Sequence, residues 1–99
     1  MNPLEVIVAL MLNASMPCIA GDATYKLWGE DRMLVTPYGC GDRFFEVWYK
    51  TCPLKNRTRA FAIIETNSHI VLYVDKVGDT LLAGGVLEPS DVNRPQCGT

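Results

Sequence analysis

The chain has 99 residues, 48% of them hydrophobic and 20% charged, with a formal net charge of −2. That length makes one domain, able to bury about two-thirds of its extended surface without staples, and the ordinary apolar content argues against disorder. Lys and Arg are scattered outside one loop, which leaves no footprint for nucleic acid, and no apolar run approaches the ~18 residues that span a bilayer.

The first twenty residues, MNPLEVIVALMLNASMPCIA, carry two readings. As a helix the segment starts well: Asn2 is an N-cap, Pro3 suits the first helical position, and Glu5 closes a capping box. Leu4, Ile7, Val8, Met11 and Leu12 then fall on one face. As a signal peptide the same segment has a short apolar stretch and a passable cleavage site after Ala20, but its leading region holds Glu5 and no Lys or Arg. The helix is the preferred reading and goes with a cytoplasmic protein; the alternative is secreted or periplasmic.

Thr24 to Trp28 and Met33 to Thr36 read as short strands around a turn at Gly29, Glu30 and Asp31. Pro37 is expected to stop the second, leaving Tyr38 to Asp42 as a loop. Phe44 to Thr51 alternates, with Phe45, Val47 and Tyr49 on one face and Glu46, Trp48 and Lys50 on the other. The loop Cys52 to Thr58 then carries Lys55 and Arg57 between Lys50 and Arg59, a basic cluster that could meet a phosphate but reads more simply as a solvated loop.

Residues 59 to 86 have the clearest strand grammar. A hairpin looped at Thr66, Asn67 and Ser68 sets Arg59 opposite Asp75, Phe61 opposite Tyr73, Ile63 opposite Val71 and Glu65 opposite His69. A two-residue loop at Asn67 and Ser68 sets Glu65 against Ile70 instead, and loses the charge and aromatic pairs that stabilise a ladder by about 0.2–1 kcal/mol each. The first register therefore leads. It gives one face to Ala60, Ala62, Ile64, Val74, Leu72 and Ile70, small enough at its alanines to take the N-terminal helix as a lid. The other face holds Phe61, Ile63, Tyr73 and Val71. A second turn at Val77 and Gly78 puts Lys76 beside Asp79 and Val74 beside Leu81, starting a strand from Thr80 to Ala83, with Gly84 and Gly85 following as a bulge or close backbone approach.

The expected fold is α+β: one N-terminal amphipathic helix packed on a twisted antiparallel sheet of five or six strands, which could curl into a partial barrel. Residues 1–87 form that domain, and residues 88–99 a polar tail in which Cys97 would be an accessible thiol.

For function, Trp48, Phe61 and Tyr73 together on the half-wet face would make an apolar patch rimmed by charge, the mark of a binding site or a subunit contact; the equal alternative is a second small core closed by the loop from Tyr38 to Arg43. His69 and Glu65 are the only His–carboxylate pairing, either an acid–base pair or a cross-strand ion pair. Cys40 or Cys52 could serve such a His as nucleophile only if the fold brings them there. The four cysteines (Cys18, Cys40, Cys52, Cys97) contain no CxxC and the chain has one His, so a zinc site is not expected; disulfides fit an exported chain and buried thiols an internal one. Neither a GxGxxG nor a P-loop is present, so no cofactor is expected, and the sequons at Asn13 and Asn56 matter only on a eukaryotic secretory path. The leading expectation is a non-catalytic binding module, a homodimer joined through its aromatic sheet face, with a small apolar ligand or a protein as other partners. The alternatives are an exported, disulfide-stapled inhibitor or immunity-type protein, and a small enzyme using His69 and Glu65.

Overall fold

The computed structural model of the chain describes residues 7, 18–51, 59–76, 79–81 and 95. Seven antiparallel strands form one sheet: β1 (Cys18–Ala20), β2 (Thr24–Trp28), β3 (Asp31–Cys40), β4 (Arg43–Thr51), β5 (Arg59–Glu65), β6 (Ile70–Lys76) and β7 (Asp79–Leu81). From β2 onward each strand pairs with the next. β1 and β2 lie end to end along the free side of β3 and together make one margin of the sheet; β7 makes the other.

The α+β expectation is corrected by this architecture. Among the described residues every element of more than one residue is a strand, and the expected N-terminal helix packed on the sheet is not among them; Ile7 alone has helical backbone. Except for Ile7, the segment from residue 3 to residue 14 is outside the described residues. Ile7 is fully buried, in the cluster of Phe45, Val47, Phe61 and Ile63 rather than against the alanines. Ala62 lies in the tryptophan cluster instead. Trp48 pairs directly with Ala62, and Trp28 meets Trp48 edge to face with ring centroids 5.6 Å apart. A small residue beside a large aromatic lets side chains of neighbouring strands interdigitate.

Two-residue hairpins join β2 to β3 at Gly29–Glu30 and β3 to β4 at Gly41–Asp42. Gly29 and Gly41 both have positive φ (63° and 67°) at the first loop position, where a II′ turn needs glycine. β3 does not stop at Pro37: it continues to Cys40, so the expected Tyr38–Asp42 loop is mostly strand. Proline is tolerated because of where its missing N–H would point. In β3 the odd-numbered residues direct their backbone groups to the β1–β2 margin, and the Pro37 carbonyl accepts a 2.8 Å bond from the Gly21 N–H. Ala20 pairs with Tyr38 and Thr24 with Val35, so residues 21–23 of the margin face only Thr36 and Pro37. That extra residue is a bulge, placed where the ladder lacks a donor.

The 59–76 hairpin follows neither expected register throughout. Glu65 pairs with Ile70 and Ile64 with Val71, as in the two-residue alternative; then Leu72 is extra, and Ile63 pairs with Tyr73 and Phe61 with Asp75. The bulge turns Leu72 and Tyr73 to the same side. Val71 consequently joins Trp28, Met33, Val35, Trp48, Ala62, Ile64 and Val74 in one core, while Leu72 packs against Phe61, Ile63 and Tyr73 in the other. The Lys76–Asp79 and Val74–Leu81 pairs are as expected. The turn at Val77–Gly78, Gly84 and Gly85, the loop 52–58 with Lys55 and Arg57, and the tail 88–99 except Pro95 lie outside the described residues. So do Cys52, Cys97 and both sequons.

Candidate interaction surface

The margin formed by β1 and β2 collects exposed apolar side chains. Ile19 on β1 is 73% exposed, and Tyr25 and Leu27 on β2 are 60% and 71% exposed. Alternation explains which residues of TYKLW face which way. Trp28 points to the tryptophan core, while Tyr25 and Leu27 point to the side of Phe61 and Ile63, at the end of the sheet. The ladder Phe61–Tyr49–Leu34–Tyr25 crosses four strands, running from buried through half-buried to exposed. The apolar face of the core thus continues, without a polar break, to open edge. Beside it the Arg32 guanidinium lies 4.0 Å from the centre of the Tyr25 ring, a stacked contact that keeps the phenol extended over the surface.

On the opposite face, an open groove of ≈ 900 Å³ runs between Ile19, Pro37, Gly39 and Phe44. Its floor is bare backbone at Gly39, where an added Cβ would touch the Phe44 ring at 3.5 Å. Glu46 closes one end, accepting bonds from Lys26 Nζ at 3.0 Å and Trp48 Nε1 at 3.1 Å. Lys50 reaches Asp31 at 3.4 Å, so this cation of the expected basic cluster is tied down within the sheet.

Of the expected site residues, Phe61 and Tyr73 come together: their rings stack with centroids 5.4 Å apart, inside the core rather than on a wet face. Trp48 is on the other face, buried against Trp28. A single surface made of all three is not what the sheet builds. Glu65 lies opposite Ile70, not His69, and accepts hydrogen bonds from Arg43 Nε and, at 2.8 Å, from Ser68 Oγ. The Arg43 hydrogen bond leads in holding the Glu65 carboxyl below the usual range, against an opposing effect of burial. A base with depressed affinity for protons is poorly matched to proton abstraction near neutrality. His69 occupies the last position of the loop with a left-handed backbone (φ 56°) and an exposed side chain.

Cys40 is joined to Cys18 in a disulfide between directly paired positions of β1 and β3, 4.2 Å apart at Cα, so in this state it offers no thiol nucleophile. Among the described residues no three His, Cys, Asp or Glu side chains converge as a metal site would require, and no helix among them is long and apolar enough to cross a membrane. Sequence reasoning read Thr24 to Trp28 only as a short strand and could not see that Tyr25 and Leu27 are exposed. Only the strand's position at the end of the sheet exposes them. Set against known protein families, curated proteins and solved structures, the chain matches none.

Proposed function

We propose that this protein is a non-catalytic interaction module that works as a homodimer, with the β1–β2 margin as its contact surface. The observation that carries the reading is the unbroken apolar ladder from Phe61 to the exposed Tyr25, flanked by Leu27 and Arg32. Exposed edge strands with apolar side chains are templates for pairing with another chain, and symmetric dimers are the commonest assembly. Sedimentation velocity over a concentration series tests it. A concentration-dependent dimer that Leu27→Lys dissociates is the expected result; a monomer at every concentration removes the proposal.

The Cys18–Cys40 bridge favours a second reading, an exported inhibitor or immunity-type protein in an oxidising compartment. Intact mass of the protein isolated with its thiols blocked decides it. Alkylation at both Cys18 and Cys40 would rule the bridge, and this reading, out.

A further inference from the structure

We infer that two copies join their β1–β2 margins antiparallel about a two-fold axis at Thr24, each β2 running beside the partner's residues 20–24, with Asp22 of each copy facing Lys26 of the other; this rests on the homodimer reading above. The backbone supplies the first part of the argument. The Gly29–Glu30 hairpin closes on the Trp28–Asp31 pair, so Trp28, Lys26 and Thr24 spend their backbone groups on β3. By alternation the N–H and C=O groups of Tyr25 and Leu27 point away from the sheet; Asp22 and Ala23, in the bulge just before β2, are where the second copy would continue the pairing.

Charge then selects the register. An axis at Lys26 sets that lysine against its own copy and Asp22 against Glu30, like charges at every charged pairing. An axis at Tyr25 sets Lys26 against Thr24 and forms no ion pair. An axis at Thr24 makes two Asp22–Lys26 pairs and one Thr24–Thr24 pair, each kind favourable across a ladder. It also sets Ala23 opposite Tyr25, and brings the two Tyr25 rings to diagonal positions, within reach of one another. Asp22 is exposed, and the Lys26 side chain is 47% exposed while bonded to Glu46, so neither must leave a buried site to meet its partner. A lysine on an edge strand ordinarily discourages pairing. Here it permits one register and opposes the next.

The test is a charge swap on the full chain, read by sedimentation velocity. Asp22→Lys alone and Lys26→Asp alone should each weaken the dimer about tenfold or more, and the double variant D22K/K26D should return it to within a few-fold of the parent. Circular dichroism confirms that each variant keeps its sheet. Hydrogen exchange supplies a second readout: the Tyr25 amide should gain protection as concentration rises, whereas the Lys26 amide is protected in monomer and dimer alike. A dimer indifferent to Asp22→Lys, or a double variant as weak as the singles, overturns the register and leaves the homodimer standing. A wild-type chain that stays monomeric removes both.

Discussion

Ala62 shows how much one side chain can settle. It sits in the cross-strand row Val35–Trp48–Ala62–Val74, every member buried, with the indole of Trp48 as its direct neighbour. Ala62→Leu should destabilise by about 1–3 kcal/mol through overpacking, and Trp48→Ala by about 3–5 kcal/mol through the cavity it leaves, both measurable by urea unfolding. His69 holds a backbone that costs most L residues about 1–2 kcal/mol. His69 already carries that cost, so His69→Gly should recover up to about 1 kcal/mol, while His69→Val, β-branched at a left-handed position, should lower stability further, as thermal melts will register. Glu65 makes the fold pH-sensitive in a definite direction. Its folded-state pKa is lowered, chiefly by Arg43, so the stability it contributes is present above the unfolded carboxylate value of ~4.3 and is lost as pH falls through the folded value. With the Arg43 side chain 38% exposed, the loss should stay under about 1 kcal/mol, and Glu65→Gln should flatten the dependence of unfolding free energy on pH in that acid window.

At the scale of elements, the margin strand is held by three unlike devices: a disulfide at β1, a bulge at residues 21–23, and a glycine-led hairpin at β2. The bridge spans 22 positions of sequence, and closing a loop of that size stabilises by about 3 kcal/mol in the chain-entropy account. The double variant C18S/C40S should lose roughly this amount. Its hydrogen exchange should accelerate around Ile19 and Gly39 while β4, β5 and β6 keep their protection, because those strands are held by cores that the bridge meets at one border only, through Cys40 and the Cys18 packed beside it. Uniform acceleration across the sheet would contradict a local role. Pro37 and the bulge opposite it are coupled in the same way. Gly21 has no room for more, since a Cβ there would lie 2.8 Å from the Pro37 ring, so Gly21→Ala must shift that ring or the bulge.

For the whole molecule, the important asymmetry lies between the two sides of a single sheet. Among the described residues the tryptophan side is filled by strand residues, while the Phe61 side is buried at its centre with help from Ile7 and opens toward β2. An open sheet with one apolar margin has a built-in route to association, and the proposed Asp22–Lys26 contacts make that association salt-sensitive. Dimer affinity should fall as sodium chloride rises from low to moderate concentration, since exposed ion pairs are screened, whereas an apolar contact alone would tighten or stay level. Sedimentation at two salt concentrations separates the outcomes.

By itself the sequence determined the local grammar: β2, the alternation of β4, the strands 59–65 and 70–76, and the Lys76–Asp79 turn register, because period-two patterning and turn chemistry act between near neighbours. Tertiary structure alone decided the rest. Pro37 stays within β3 because the strand beside it bulges, Leu72 breaks the hairpin register because both cores accept the result, and Ala62 packs beside Trp48. Each outcome depends on what another strand supplies. The same reason explains the site. Trp48, Phe61 and Tyr73 are aromatic residues that long-range packing buried, while Tyr25 and Leu27 were left exposed by their place at the sheet's end, a property that no window of residues around them contains.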